Sequence, residues 1–503
     1  MSKIQLPQNL KNIHIHFVGI KGTGMAALVE IVHARGAIIT GSDISERFYT
    51  DEILEKLNIK AAPFSKENIT DDISFVIYSS AYSTEKNPDL IAAKEKNIPM
   101  MLYTEALGAI SETAYSCGIC GVHGKTSTTG ITGTILKELE LPVQVLAGSI
   151  IASFDNSCTM TSEELKQQQN SNAEANNRTY FVAETCEYQR HFMSFAPQKI
   201  ILTSVESDHQ DYYPTFKDIQ LAFVDYICKL PEHGELIYCA DDAGASETAK
   251  IAAEKRPDIK MIPYGETAVG DYNLKFGEVQ NGKQYFSISC LGECCICVPG
   301  SHNVRNSTAA IALAIQILRS DGKNPADYAE RIKSALTNFR GGKRRSEIIA
   351  RTKTPANQEV IFIDDYGHHP TAIKTTLEGY RKFYKNHKII VDFMSHTYTR
   401  TAALLEEFAS SFGSADEVII NKIYGSARED ASKAQVSGKT LAEHAQKYHK
   451  AVHYAEEFDE AAQLGYELLT KQSGEEYPDG YLFVTMGAGD NWKVGTKILE
   501  KLK

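Results

Sequence analysis

The chain has 503 residues, which a usual domain size of about 150 residues divides into three domains. Its 43% of hydrophobic and 23% of charged residues are ordinary for a globular protein. The 53 basic and 64 acidic residues give a net charge of −11, which argues against nucleic-acid binding over a broad surface. No apolar run approaches a membrane span and no secretory leader is visible, so we expect a cytoplasmic protein.

The first hundred residues alternate short apolar runs with a helical pattern. Strands are predicted at residues 13–18, 37–40, 75–78 and 100–102, and residues 25–34 have helical apolar spacing. This alternation predicts βαβ units with a parallel sheet.

A glycine-rich turn follows the first predicted strand. Gly19, Gly22 and Gly24 are spaced Gly-x-x-Gly-x-Gly, not Gly-x-Gly-x-x-Gly, which disfavours an NAD-linked oxidoreductase. The helix that begins here can still bind a phosphate or pyrophosphate, and the carboxylate of Asp43 is a candidate to contact a ribose or base. A glycine turn without a ligand is the alternative interpretation.

A second α/β series begins near residue 113 and contains the strongest motif. The segment 121–128, Gly-Val-His-Gly-Lys-Thr-Ser-Thr, lies between a predicted strand and a helix predicted at 126–139. Its backbone amides and Lys125 are suited to binding phosphates, and the Thr126 hydroxyl is suited to binding Mg²⁺. Ile119 replaces the first glycine of the full P-loop pattern. The segment nevertheless predicts a nucleoside triphosphate site.

Acidic residues follow two predicted strands, 180–183 and 199–203, of the same series. Glu184 ends the first strand, and a cluster follows the second: Glu206, Asp208, His209 and Asp211. Mg²⁺ takes one or two carboxylates together with phosphates, so these residues are candidate ligands. Solvated loop charges are the alternative for any one of them.

Two segments differ from the α/β pattern. Residues 159–178 are polar and predict a surface loop, whereas residues 265–298 predict a small antiparallel piece. The ten cysteines are interpreted as reduced side chains used mainly for packing, because Cys117-x-x-Cys120 lacks a second ligand pair nearby.

The third series starts near residue 339, with strands predicted at 360–363, 388–391, 417–420 and 481–484. The polar segment 364–370, Asp-Asp-Tyr-Gly-His-His-Pro, follows the first of these strands, and His396 and Arg400 follow the second. Ligands of α/β proteins bind at such strand ends. Residues 300–306 are expected to precede a helix at 307–318 and to contact a base or cap that helix.

These segments together resemble the Mur ligases of bacterial cell-wall synthesis. Family-like segments occur in order at residues 19–25, 121–128, 184–187, 206–211, 300–306, 344–345, 364–370, 396–401 and 486–490. The resemblance implies an α/β fold of three domains: a Rossmann-like UDP-sugar domain (1–112), a central P-loop ATPase-type domain with the antiparallel piece (113–337), and a Rossmann-like amino-acid domain (338–503).

The resemblance also implies an activity: an ATP- and Mg²⁺-dependent ligase that joins L-alanine to the lactyl carboxylate of UDP-N-acetylmuramate through an acyl phosphate, in peptidoglycan precursor synthesis. The alternative within the family is a ligase that attaches the recycled tripeptide L-alanyl-γ-D-glutamyl-meso-diaminopimelate to the same sugar nucleotide. Outside the family, a P-loop ATPase or regulator is disfavoured, because it does not need the histidines of the third domain.

Site residues are implied by position. ATP would contact Gly121, Gly124, Lys125, Thr126, Ser127, His302, Asn303, Arg345 and Asp365. The UDP moiety would contact Gly22, Gly24, Asp43 and Ser80. The amino-acid and lactyl end would be lined by His369, His396, Arg400 and Tyr424. Metal would be held by Thr126, Glu184 and His209, and the catalytic set would be Lys125, His209, Arg345 and His369.

The chain departs from the family pattern at several of these places. Lys21 replaces a usual glycine, Ser204 a usual asparagine and Thr397 a usual arginine. In the acidic segment 184–189, Cys186 and Gln189 stand where carboxylates are usual. These departures leave open the detailed metal geometry and substrate contacts. The accepted amino acid and the oligomeric state are also open.

Overall fold

The computed structural model describes residues 4–7, 9–48, 50–170, 178–210, 212–425, 429, 435–471 and 473–503. Asp211, one of the candidate acidic residues, lies outside these ranges. The chain forms two compact units, of which the first comprises residues 1–206, 219–273 and 307–336. The second comprises residues 207–218, 274–306 and 337–503. Among the described residues, no helix combines the length and apolar character needed to cross a membrane.

The first unit begins with a parallel four-stranded sheet in the order β2-β1-β3-β4. The strands are β1 (His14–Val18), β2 (Ile38–Ser42), β3 (Phe75–Tyr78) and β4 (Met100–Leu102). The helices are α1 (Thr23–Ala34), α2 (Asp51–Lys56), α3 (Pro88–Glu95) and α4 (Tyr103–Ser111). All four predicted strands and the predicted helix are therefore confirmed, with small shifts at the ends.

The same unit contains a seven-stranded sheet in the order β11-β10-β9-β5-β8-β6-β7, parallel except for β7. Its strands are β5 (Tyr115–Cys120), β6 (Val143–Ile151), β7 (Ser157–Thr161), β8 (Tyr180–Glu184), β9 (Lys199–Leu202), β10 (Glu235–Cys239) and β11 (Lys260–Tyr264). Its helices are α5 (Lys125–Glu138), α6 (Glu163–Asn170), α7 (Phe216–Ile227) and α8 (Ala243–Lys255). Short 3₁₀ segments lie at Lys66–Asn68, Ala152–Phe154, Tyr188–Ser194 and Pro325–Tyr328.

The prediction of a surface loop over residues 159–178 is wrong for its first half. Strand β7 covers residues up to Thr161, and helix α6 follows. Cys158 and Met160 of β7 are buried, while the alternate residues Ser157 and Thr159 donate hydroxyl hydrogen bonds to the carboxylate of Glu30. A polar strand is stable here because those hydroxyls share a partly buried carboxylate as their hydrogen-bond acceptor. Residues 171–177 lie outside the described ranges.

The predicted antiparallel piece is confirmed as a three-stranded sheet in the second unit. Its strands are β12 (Leu274–Gln280), β13 (Lys283–Ile288) and β14 (Gly292–Ile296). Two helices follow in the chain, α9 (Ser301–Ser320) and α10 (Ala329–Asn338). The prediction that α9 begins at residue 307 is wrong, because its first turn includes His302 and Asn303.

The six-stranded sheet of the second unit has the order β15-β16-β20-β17-β18-β19, with only β15 antiparallel to its neighbour. The strands are β15 (Glu347–Lys353), β16 (Glu359–Asp365), β17 (His387–Met394), β18 (Glu417–Ile420), β19 (Val452–Tyr454) and β20 (Gly480–Gly487). The helices are α11 (Pro370–Phe383), α12 (Tyr398–Ala403), α13 (Leu405–Ala409), α14 (Gly438–Ala445), α15 (Phe458–Thr470) and α16 (Trp492–Leu502).

Alternate residues of β16 explain why its sequence is continuously apolar. Ile361 and Ile363 join one hydrophobic cluster, whereas Val360 and Phe362 join another. Successive side chains of a strand point to opposite faces, so both faces of this sheet are covered. The polar residues that follow the apolar run therefore lie at the carboxyl edge of a buried parallel sheet.

All ten cysteines are free thiols. Cys117, Cys120, Cys158, Cys239 and Cys294 are buried, whereas Cys186 and Cys290 are exposed. The prediction of reduced cysteines is confirmed, but the packing role applies only to the buried ones.

Candidate active site

The loop between β5 and α5 has the backbone of a phosphate-binding turn. Gly124 precedes the helix with a φ of 83°, and Gly121 has a φ of 133°. A Cβ atom on Gly121 would lie 2.1 Å from Oγ1 of Thr203, so no larger residue fits without movement. The amides at the start of α5 and the positive end of its dipole make this helix terminus suited to a phosphate.

Ser204 holds this loop in place, although an asparagine is usual there. Its carbonyl oxygen accepts the amide hydrogen of Val122 at 3.0 Å, and its Oγ accepts that of His123 at 2.9 Å. The departure at residue 204 therefore preserves the attachment between the loop and the end of β9.

Lys125 is held by a buried glutamate that the sequence did not single out as its partner. The Nζ atom lies 2.9 Å from Oε2 and 3.1 Å from Oε1 of Glu187, which is 2% exposed. Burial alone would lower the pKa of Lys125, but the charge of Glu187 raises it above its usual value. Lys125 is therefore an ammonium ion, as binding to phosphate oxygens requires.

Thr126 and Glu184 are adjacent, as their positions at a helix start and a strand end predicted. The Thr126 hydroxyl donates to Oε2 of Glu184 at 2.8 Å, and the Gly148 amide donates to the same oxygen at 2.8 Å. A Cβ atom on Gly148 would lie 2.5 Å from that oxygen. A hydroxyl and a carboxylate beside a phosphate-binding turn are the oxygen donors that Mg²⁺ prefers, so these two residues fit the ion.

The predicted UDP-binding residues lie at the start of α1 and on the segments that follow β2 and β3. Gly22 and Ser80 are exposed, Gly24 is half-buried, and the ring of Tyr103 covers Gly24. Both carboxylate oxygens of Asp43, the residue expected to contact a ribose or base, accept hydrogen bonds from the protein. Its Oδ2 accepts the Lys21 amide hydrogen at 2.7 Å. Its Oδ1 accepts the Tyr82 hydroxyl hydrogen at 3.0 Å and also bonds to the Ile44 amide. These contacts make Asp43 a residue that shapes the turn.

In the second unit, Asp365, which was predicted to contact ATP, accepts hydrogen bonds from two backbone amides. Its Oδ2 accepts the Ser346 amide hydrogen at 2.8 Å, and its Oδ1 accepts that of Gly367 at 2.8 Å. Asp365 is buried, so it fixes the turn that presents Arg344 and Arg345. The guanidinium of Arg345 lies 5.1 Å from the Tyr366 ring centroid, which orients it by a cation–π contact.

Arg400 forms a buried ion pair with Asp208, 192 residues earlier in the chain. Its Nε and Nη2 lie 3.1 and 2.8 Å from Oδ1 of Asp208. Burial would raise the pKa of Asp208, but the Arg400 charge outweighs it and holds the pKa well below its usual range. Asp208, one of the candidate magnesium ligands, is therefore the counter-ion of Arg400 in this structure.

His396 and Tyr424 are brought together as expected. Their ring centroids are 5.7 Å apart, and the Nδ1 of His396 lies 3.4 Å from Nη1 of Arg400. The His368 ring, at 6.1 Å from that of His396, completes the cluster. Burial, reinforced by the charge of Arg400, lowers the pKa of both histidines, so both imidazoles are neutral at physiological pH.

Glu429 fixes the segment that carries Arg400. Its carboxylate accepts the amide hydrogens of Tyr398 and Thr399 at 3.0 Å, and the Thr399 hydroxyl hydrogen at 2.6 Å. Thr397, with a φ of 65°, caps the same helix by accepting the Arg400 amide hydrogen at 3.3 Å. Sequence reasoning missed Glu429, because no motif joins it to this helix.

The remaining predicted residues of the second unit lie in the first turn of α9, in the loop between β9 and α7, and just before α11. His302 and Asn303 are in the first turn of α9, and Asn303 donates from Nδ2 to the Pro299 carbonyl at 2.7 Å. His209 has a φ of 54° and its Nε2 lies 3.8 Å from Oδ2 of Asp208. His369 is buried and precedes α11.

Asp392 is a fully buried carboxyl four residues before His396. The side-chain amides of Asn421 and Asn491 donate to its two oxygens at 3.1 Å each. Burial raises the pKa of Asp392 to about 7, and the two amides only partly offset that effect. The carboxyl thus ties the loop that leads to Tyr424 to the turn before α16.

This carboxyl predicts a pH dependence of stability. Because the pKa of Asp392 is raised in the folded state, its stabilising contribution is present below about pH 4 and is lost as pH rises through about 7. The quantity to follow is the thermal midpoint of the wild type minus that of Asp392→Asn. We expect this difference to decrease by about 2–5 °C as the pH rises from 5 to 8. Calorimetry checks this, with exposed Asp459→Asn as the control. A difference that is constant with pH would contradict the assignment.

Three parts of the chain match domains of one family. Residues 14–115 match the Mur ligase family catalytic domain, residues 119–314 the Mur ligase middle domain, and residues 344–489 the glutamate ligase domain of Mur ligases. A UDP-N-acetylmuramate–L-alanine ligase of Treponema pallidum is 44% identical over 100% of this chain and 99% of its own length. The chain belongs to the Mur ligase family. A ligase of the same name from Borreliella burgdorferi is 36% identical over 95% of this chain and 97% of its own.

Solved structures of other Mur ligases share the fold. A UDP-N-acetylmuramate-alanine ligase from Thermotoga maritima has a TM-score of 0.69 at 24% identity and covers 97% of this Mur ligase and 99% of its own chain. A murein peptide ligase from Psychrobacter arcticus has a TM-score of 0.62 at 20% identity and covers 97% and 98%. The predicted family and its three-domain α/β architecture are thereby confirmed.

Proposed function

We propose that this Mur ligase joins L-alanine to the lactyl carboxylate of UDP-N-acetylmuramate in an ATP-dependent reaction, in the cytoplasm. The observation that carries the proposal is the full-length similarity to ligases named for this reaction, at 44% and 36% identity. The buried Lys125–Glu187 pair and the neighbouring Thr126 and Glu184 supply the groups that the ATP-dependent step needs.

The first step is a phosphoryl transfer. The lactyl carboxylate attacks the γ-phosphorus of ATP, the bond to the bridging oxygen breaks, and ADP leaves, giving an acyl phosphate. Lys125 and the amides at the start of α5 hold the transferring group, and Arg345 supplies further positive charge. Thr126, Glu184 and His209 are the residues that would hold Mg²⁺, which when bound would neutralise charge on the phosphate oxygens.

The second step is attack by the amino acid. The ammonium group must lose a proton before nitrogen attacks the acyl carbon, after which the tetrahedral intermediate expels inorganic phosphate. This proton passes to solvent, because burial and the charge of Arg400 lower the pKa of His368 and His396 and make their imidazoles weak bases. Arg400 is the proposed partner of a substrate carboxylate through Nη1, because Asp208 occupies its Nε and Nη2.

The remaining roles stay as the family resemblance implies. Gly22, Gly24 and Ser80 contact the UDP moiety, and His302 and Asn303 contact adenine. His369 and Tyr424 line the amino-acid end. Asp43 is proposed at the UDP moiety and Asp365 at ATP, and each also holds the turn beside it through hydrogen bonds that its carboxylate accepts.

The second candidate is the peptide-recycling reaction on the same sugar nucleotide. The structural likeness to the murein peptide ligase favours it only at the level of the fold, at 20% identity. The two reactions differ in the amine alone, so the predicted partners UDP-N-acetylmuramate and ATP are common to both.

Phosphate release from ATP tests the proposal. With UDP-N-acetylmuramate and L-alanine both present we expect sustained release of phosphate, and we expect only background release when either is omitted. The sugar nucleotide provides the carboxylate on which the acyl phosphate forms, and the amine is needed to consume it. Release that does not depend on the sugar nucleotide would contradict the ligase assignment.

A further inference from the structure

Lys21 lies inside the glycine turn before α1, at a position where the family resemblance implies a glycine. Its side chain is buried, with Nζ 2.8 Å from the Glu46 carbonyl oxygen and 3.2 Å from Oδ1 of Asp51. The ammonium group therefore already has an acceptor and a counter-charge within the protein. It is directed to the segment between β2 and α2.

The backbone of Lys21 is bound to the same segment. Its amide donates to Oδ2 of Asp43 at 2.7 Å, and its carbonyl oxygen accepts the Thr50 hydroxyl hydrogen at 2.5 Å. Both partners are nearly inaccessible, at 6% and 1% exposure for Asp43 and Thr50. Together with the side chain, these contacts join the turn to the segment 43–51 at four points.

The opposite side of the turn is also fixed. The Tyr82 ring lies where a Cβ atom on Gly19 would be, at 2.6 Å, and the Tyr82 hydroxyl donates to Asp43. Asp51 in turn accepts the Phe48 amide hydrogen through its other oxygen at 2.7 Å. A glycine at position 21 would keep the backbone contacts but lose the pair with Asp51, which is the only charged contact between the turn and α2 among these residues.

We propose that Lys21 is a positioning residue for the sugar-nucleotide site, which it shapes by binding Asp51 and Glu46 and not by contact with the diphosphate. This inference rests on the proposed function, which places the UDP moiety at the start of α1. By ordering the turn before substrate arrives, Lys21 lowers the conformational cost of binding. The effect is specific to UDP-N-acetylmuramate, because ATP is assigned to the start of α5.

Steady-state kinetics of three variants test the proposal. Lys21→Met and Asp51→Asn are each expected to raise KM for UDP-N-acetylmuramate about five- to tenfold, with kcat and KM for ATP unchanged. The double variant is expected to be no worse than either single variant, because both remove one interaction. Lys21→Arg is expected to restore most of the affinity, and exposed Lys60→Met is the matched control.

Two results would overturn the proposal. An unchanged KM in Lys21→Met would show that the contact does not shape the site. An increase in Lys21→Met with an unchanged or lowered KM in Asp51→Asn would show that Lys21 binds the diphosphate directly. Failure of the proposed function is a separate result, since the wild type would then release no phosphate with this sugar nucleotide.

Discussion

Lys125→Met is expected to lower kcat by at least about a thousandfold, the largest effect of any single substitution considered for this chain. The methionine keeps the length of the side chain but removes the ammonium group, whose charge Glu187 maintains. The amides at the start of α5 would still bind phosphate, so the loss should lie in kcat more than in KM for ATP. Phosphate release under saturating ATP measures it.

A second variant separates this loss from a loss of stability. Lys125→Met alone leaves the Glu187 carboxylate buried without its charge partner, which destabilises the fold. Lys125→Met with Glu187→Gln removes both charges and should regain stability without regaining activity. Lys137→Met, at an exposed position of α5, is the control. Appreciable activity in a folded Lys125→Met protein would mean that the P-loop has been misassigned.

Glu184→Gln is expected to lower activity about a hundredfold and to raise the Mg²⁺ concentration needed for half-maximal rate. The amide oxygen of glutamine can still accept from Thr126 and Gly148, so the loop should keep its geometry. The lost negative charge weakens the binding of the cation specifically. A magnesium titration at fixed ATP measures the shift.

The matched control is Glu254→Gln, an exposed position on α8 in the same unit. It should leave both the rate and the magnesium dependence unchanged. A Glu184→Gln protein with lowered activity but an unchanged magnesium dependence would argue that Glu184 orders the Gly148 backbone and binds no metal.

The local sequence was sufficient to predict a contact when the residues that form it lie within one motif. The glycines and Lys125 are a few residues apart, and strand–loop–helix order fixes where such a turn must lie. The apolar runs also predicted strands from local sequence alone. A strand that is buried on both faces, such as β16, has a continuous run of apolar residues. Glu184 could also be placed, because parallel strands end at one edge of the sheet.

Contacts between residues that are far apart in the chain could not be predicted from the sequence. Arg400 and Asp208 are 192 residues apart, and each is an ordinary charged residue in its own segment. The acidic cluster after β9 was therefore interpreted through metal chemistry, although the structure pairs Asp208 with arginine. Likewise α6 has a polar sequence with buried Leu165 and was taken for a loop, because one buried side chain gives no helical period.

The effect of the departures from the family pattern could also be judged only from the structure. Ser204 accepts two hydrogen bonds from P-loop amides, one at its backbone carbonyl oxygen and one at its Oγ. The place of residue 204 beside the loop therefore matters more than which side chain stands there. The replacement of a usual glycine by Lys21 left the substrate contacts open in the sequence, and the structure shows the ammonium group bound to Asp51. Whether a substitution disrupts a site depends on where the new side chain can find partners.

The most direct test of the proposed activity is a competition for the amine. UDP-N-acetylmuramate and ATP are supplied with equal concentrations of L-alanine and the tripeptide L-alanyl-γ-D-glutamyl-meso-diaminopimelate, and the products are resolved by mass spectrometry. We expect UDP-N-acetylmuramoyl-L-alanine as the dominant product. A dominant UDP-N-acetylmuramoyl-tripeptide would contradict the assignment and identify the chain as the peptide-recycling member of its family.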